Sequence, residues 1–253
     1  MADRVNTTDR VHAMLRESII SGELKAGSLH SVYKLADAYG VSRTPVREAV
    51  LRLADTGMVR VERNRGIRIR GVTVDDIREV FELRLIMEVP AASYAAVYGG
   101  EELQAALREQ LAAMHEAARG NDEARFMKHD RALHDAISSV LGNRRLSAGV
   151  AALRDATQAR GASTVHRSRD LAEIEREHAP ILDALAAGDP AAAAARMGGH
   201  IVRTGTLLMR QVAEVSGEQV PTTWADPLLV HLGIDVVEPA GVLAQASEAT
   251  TVV

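Results

Sequence analysis

From Thr73 to Val215 apolar residues return every three or four positions. The run is broken only at Gly99-Gly100, Gly120-Asn121, Gly142-Asn143, Gly161 to Val165, and Gly188-Asp189-Pro190. That period belongs to amphipathic helices. The breaks are residues that close one helix or open the next, above all Asp189 as an N-cap followed by Pro190 at the first helical position. The spacing predicts helices over 73–98, 101–119, 122–141, 144–162, 168–187 and 190–215. Helices this closely connected bury their apolar stripes only against one another, as an antiparallel bundle.

The residues before Thr73 have a different rhythm. Val11, Met14, Leu15, Ser18 and Ile19 share one face of a helix over 9–21, and 32–39 is a second short helix. Ser42 is placed to cap a third, running to Asp55 with Val46, Val50, Leu51 and Leu53 inward. Val59-Arg60-Val61-Glu62 and Ile67-Arg68-Ile69-Arg70 alternate apolar and polar residues around an Asn64-Arg65-Gly66 turn, which makes a hairpin. The expected fold class is therefore mainly α. It comprises a winged helix-turn-helix over 1–71, an all-helical bundle over 72–216, and an extended or disordered tail over 217–253. Pro221, Pro227 and Pro239 and the loss of periodicity mark that tail.

Charge separates these parts. The 253-residue chain carries a net charge of −4, yet residues 43–70 hold eight arginines against Glu48, Asp55 and Glu62, a net of +5. The acidic excess lies beyond residue 71. A basic segment on an acidic body points to a nucleic-acid contact confined to that segment. In a helix-turn-helix the start of the second helix enters the major groove. Arg43 and Arg47 there are suited to guanine, and Ser42 and Thr44 to phosphate or base edges. Arg63, Asn64 and Arg65 in the hairpin turn are placed to reach the backbone or minor groove. The chain has no cysteine, which excludes a disulfide framework, a Cys-based zinc finger and a Cys nucleophile. Its few aromatic residues argue against a stacking platform for single strands. With no apolar signal region and no long apolar run, the protein is expected in the cytoplasm, with no membrane partner.

Some positions that should be apolar in the bundle are not. Asp130 and His134, four apart, interrupt the stripe Met127, Ile137, Leu141; His178 interrupts Leu171, Ile174, Leu185; His200 falls on the inward side of the last helix. Buried polar groups are costly unless paired. Each histidine is open to reading as a hydrogen-bonded core residue, but a divalent metal would satisfy all four groups at once. Three imidazoles and a carboxylate suit Zn, Ni, Mn or Fe. Arg84 lies near the inward stripe of Ile77, Val80, Phe81 and Glu88. It reads either as a fork for a carboxylate ligand or as an ion pair with Glu88 at i+4.

These residues also carry a resemblance. Ile20 to Gly27, Gly40-Val-Ser-Arg-Thr-Pro-Val-Arg-Glu-Ala-Val50 and Asn64-Arg-Gly66 look like the N-terminal domain of GntR-type transcriptional regulators. Asp76 to Glu88, Asp130 to Ile137, Glu177 to Leu185 and Met197 to His200 resemble the helical ligand domain of the FadR subfamily, the FCD type. The resemblance covers about residues 8–215. It implies a homodimer on palindromic double-stranded operator DNA, contacted by Ser42, Arg43, Thr44, Arg47 and Gly66. It also implies a divalent metal on Asp130, His134, His178 and His200, and a small carboxylate effector held by Arg84. The chain departs from the pattern at Tyr33 and Lys34, where many members have Glu or Arg. The expected function is a ligand-responsive repressor. A metal-dependent enzyme and a constitutive DNA-binding dimer without effector are the competing readings.

Overall fold

The computed structural model describes residues 7–63, 65–159, 163–165 and 167–234. Asn64, among the expected DNA contacts, lies outside the described residues, as does the chain from 235 onward. The fold is mainly helical. Helices α1 (Thr7–Ile20), α2 (Val32–Ala38) and α3 (Arg43–Asp55) pack beside a sheet of β1 (Leu29–His30), β2 (Val59–Glu62) and β3 (Gly66–Ile69) in the order β1-β3-β2, all antiparallel. Val11, Leu15, Val46, Leu53, Met58, Ile67 and Ile69 form their core. Ile67 and Ile69 are buried while Arg68 and Arg70, between and beyond them, face outward, as strand alternation requires. Leu51, expected inward, is 58% exposed; the buried face of α3 is Val46, Ala49, Val50 and Leu53, and Leu51 lies about 100° past Val50.

β1 was not legible, because two residues show no period. It is nevertheless what fixes Gly66. At φ +119° a Cβ on Gly66 would stand 2.2 Å from the carbonyl oxygen of His30, so this register of β1 against β3 requires glycine.

Four residues after β3, Thr73 caps α4 (Val74–Tyr98) with a reciprocal capping box to Asp76. α5 (Gly100–Arg119), α6 (Glu123–Ser139), α7 (Arg144–Ala159), α8 (Leu171–Ala186) and α9 (Pro190–Ser216) follow. α4 and α9 pack along their length, α5 lies against α6 and α8, and α7 covers α4 and α6. Phe81, Leu85, Phe126, Leu133, Ile181 and Ile201 are in the core of this bundle. Val72 packs against both cores and is the apolar hinge between them.

The tail expected over 217–253 needs correction. Asp226–His231 forms α10, with Pro227 in the first turn, where its missing N–H is harmless. Trp224, 8% exposed, sits in a notch left by Gly205, whose Cβ would lie 3.1 Å from the indole and 2.8 Å from the Phe81 ring. Glu218 accepts a hydrogen bond from the backbone N–H of Val74 at 2.9 Å, supplementing the cap of α4. Residues 218–234 therefore strap onto α4 instead of trailing away. Gly217, at φ +76°, ends α9 with a left-handed cap, and Trp224 and Leu229 bury apolar surface that holds the following strap down.

Candidate metal centre and nucleic-acid interface

His134 of α6, His178 of α8 and His200 of α9 converge. Each offers a donor nitrogen within 4.8 Å of the others, and all three are buried. Each also approaches a carboxylate that is in turn paired with an arginine. His134 Nδ1 donates to Glu88 Oε2 at 2.5 Å, and Glu88 Oε1 accepts from Arg84 Nε at 2.6 Å. His178 Nε2 lies 3.0 Å from Asp130 Oδ1, and the other oxygen of Asp130 is held by Arg154. His200 Nδ1 lies 3.3 Å from Glu177 Oε2, which Arg169 also engages. Three His–carboxylate–Arg relays thus surround one centre.

One nitrogen of each ring makes no hydrogen bond to protein. His134 Nε2, His178 Nε2 and His200 Nδ1 are buried without a hydrogen bond. His178 donates through Nδ1 to the carbonyl of Ile174 at 2.8 Å, and His134 donates to Glu88, so both Nε2 atoms are left as lone-pair donors. The approach of His178 to Asp130 lacks hydrogen-bond alignment. The three histidines therefore fit a cation, while Asp130, expected as a fourth ligand, reaches only His178 and Arg154 and is not part of the converging group. Glu88 and the Ile174 carbonyl are the outer partners that orient ligating histidines.

Electrostatics agree. Burial pushes the His134 imidazole down to about 4, and burial with the neighbouring His178 pushes His200 down to about 3. Both rings are neutral at physiological pH, the form a metal needs. Burial alone would raise the acids, but Arg84 and His134 hold Glu88 well below the usual range, and Arg154 and His178 do the same for Asp130. His200 and Arg169 overcome burial at Glu177 and bring it to about 2.

For Arg84 the ion pair with Glu88 is realised, yet Nη2 stays buried and unpartnered. The guanidinium lies 4.8 Å from the centroid of the Phe81 ring. Arg84, Asp130 and His200 line a cavity of about 1250 Å³ that reaches outward to His12 and Arg16 of α1. Arg154, Arg169 and Glu177 were not recognised from sequence, and Glu88 was read only as the i+4 partner of Arg84, not as the partner of His134. Glu177 carried a signal as the neighbour of His178, and it serves His200 instead.

At the other end, Ser42, Arg43, Thr44 and Arg47 are all exposed on the N-terminal half of α3, and Arg63 and Arg65 are exposed on the wing. Ser42 is the N-cap residue of α3, but its hydroxyl makes no cap hydrogen bond. Arg43 is folded back over Tyr33, 3.4 Å from the ring centroid, and donates to the phenol oxygen. The departure at Tyr33 thus has a structural role, shelving an arginine of the recognition helix. Arg65 pairs with Glu62 at 3.4 Å, an exposed contact that a phosphate can replace.

Residues 7–69 match the family model described as bacterial regulatory proteins, gntR family, and residues 79–203 match the FCD domain. The gluconate operon transcriptional repressor of Bacillus licheniformis is 34% identical over 134 residues, covering 53% of this chain and 55% of that protein. A protein of Paenarthrobacter nicotinovorans, named "Probable D-xylose utilization operon transcriptional repressor", is 30% identical over 78% of this chain and 87% of its own length. The solved structure of E. coli McbR/YncC superposes with a TM-score of 0.54 at 23% identity, covering 82% of this chain and 99% of that one, which bears on the fold alone. Among the described residues no helix is long and apolar enough to cross a membrane.

Proposed function

We propose, from the premise that this chain belongs to the gntR family of bacterial regulatory proteins and is a DNA-binding transcriptional regulator rather than an enzyme, that it is a homodimeric repressor released from palindromic operator DNA by a small carboxylate. The observation that carries this reading is the convergence of three buried, unsatisfied histidines at a cavity that also contains an arginine with a free donor. His134, His178 and His200 would hold a divalent ion, whose contribution is a Lewis-acidic anchor for a carboxylate oxygen. Arg84 donates Nη2 to the same carboxylate. Phe81, Ile174 and Leu208 provide the apolar wall that keeps water from competing.

Residues 1–71 are assigned to DNA and 72–216 to ligand and dimerisation. Ser42, Arg43, Thr44 and Arg47 read the major groove, with Arg63, Asn64, Arg65 and Gly66 forming the wing contact. Two features support coupling. α4 carries Arg84 and Glu88 and is joined to β3 by only four residues, with Val72 packed into both cores. His12 and Arg16 of α1 line the mouth of the effector cavity. A ligand changes DNA affinity only by preferring one of two arrangements of these parts. Two named relatives being repressors supports the direction of control.

The test measures bound metal by elemental analysis and follows binding to the DNA upstream of the chain's own coding sequence. A His134→Ala, His178→Ala double variant is expected to lose the metal and ligand-dependent release while keeping DNA binding. Loss of metal with release intact would refute the coupling.

A further inference from the structure

The three relays end in guanidiniums that share one property. Arg84 Nη2, Arg154 Nε and Arg169 Nε are each buried with no hydrogen-bond partner, although all three residues line the same cavity. Their positive charges are already matched by Glu88, Asp130 and Glu177. A divalent ion on the histidines adds two positive charges where water is scarce, and such charge is costly unless a counter-charge arrives. A monocarboxylate supplies half of it.

Elsewhere on the lining of the same cavity are the donors for a second anionic head. Arg169 Nη2 donates to Thr164 Oγ1 at 2.8 Å and Thr204 Oγ1 at 3.2 Å. Both hydroxyl oxygens thus act as acceptors and keep their hydrogens free; neither donates a hydrogen bond among the described residues. Arg169 Nε and two hydroxyl donors, on the loop before α8 and on α9, make a built anion site with its charge buried. The cavity, about 1250 Å³, exceeds the roughly 300–1,000 Å³ of ordinary ligand pockets and leaves room for a two-headed acid.

We infer that the effector is a short-chain dicarboxylate, with one carboxylate beside the histidine cluster and Arg84 and the other on Arg169, Thr164 and Thr204. This rests on the metal-dependent reading above. It adds a second subsite, and with it a criterion that excludes monoacids as physiological effectors. Charge-assisted donors at both ends would also discriminate by chain length.

The test is calorimetric titration of the full-length, zinc-loaded protein with the dicarboxylates from malonate to adipate, each beside its monoamide. At least one diacid is expected to bind ten-fold or more tightly than its monoamide. The Thr164→Val, Thr204→Val double variant, which keeps the Arg169–Glu177 ion pair, should erase most of that difference while leaving monoamide affinity within about two-fold. Thr204→Val removes one second-head donor without touching the ion pair to Glu177, and should weaken the diacid only. Equal binding of every diacid and its monoamide by the unaltered protein would overturn the inference, as would an equal loss of both in the Thr164→Val, Thr204→Val double variant. If monoamides bind as well and still require His134 and Arg84, the proposed function stands and the second subsite falls. If no acid binds the zinc-loaded protein, both fall.

Discussion

Glu88 shows how one residue can hold a site together without being visible as part of it. It is 1% exposed and accepts from Arg84 on one oxygen and His134 on the other. Replacing it with Gln removes a buried anion and leaves Arg84 uncompensated. Breaking a buried pair from one side costs about 3–5 kcal/mol. Glu88→Gln is therefore expected to lower unfolding free energy in urea by that amount, and to weaken metal binding about 10–100-fold through loss of the outer partner of His134. A variant within about 1 kcal/mol of the parent would show that Glu88 is protonated or solvated in the fold. The histidines were legible because each interrupts an apolar stripe of its own helix. Their partners were not. Glu88, Arg154 and Arg169 meet the histidines across helices and loops, and periodicity within one helix carries no record of such pairings.

At the scale of elements, the bundle helices were readable within two or three residues at nearly every end, because Gly and Asp-Pro breaks fall between strong periods. β1 and α10 were not, being too short to show a period, and both are held by partners distant in sequence. α10 and Trp224 nonetheless close one side of the bundle. Trp224→Ala would empty the notch over Gly205 and Phe81; a buried Trp truncated this way costs about 3–5 kcal/mol. Thermal unfolding monitored by circular dichroism should register the loss as a marked drop in Tm. An unchanged Tm would mean that the strap is not docked in solution. α4 supplies a second element-level expectation. Leu83, Ile86, Val97 and Tyr98 project from it, between 48% and 65% exposed. A row of apolar residues on one helix is a surface that a second copy can bury. The Leu83→Glu, Ile86→Glu double variant is expected to be monomeric by light scattering at concentrations where the parent is a dimer. A persistent dimer would move the interface elsewhere.

For the whole molecule, the informative quantity is where charge sits. The net of −4 conceals a basic face made by α3 and the wing, set on an acidic bundle whose buried arginines turn inward to Asp130, Glu88 and Glu177. The two sets of arginines therefore answer differently to salt. Those on α3 and the wing are exposed, and if they neutralise phosphates as proposed, log affinity for DNA should fall linearly with log salt, by about 0.9 per phosphate contact. The buried set is shielded and should leave ligand affinity nearly insensitive to the same salt series. The exposed set divides further. Arg63→Ala and Arg65→Ala, on the wing, are each expected to weaken operator and unrelated DNA alike and to reduce the salt slope by about 1. Arg47→Ala, in the groove-facing helix, should cost about 1–3 kcal/mol on the operator and little on unrelated DNA. Arg43 is stacked on Tyr33; if it reads DNA as proposed, it has to leave that position, and Tyr33→Ala should raise the rate of association. Fluorescence anisotropy across a salt series with operator and scrambled duplexes separates these cases. Equal losses on both duplexes for Arg47→Ala would assign that residue to the backbone and move sequence reading to another part of α3.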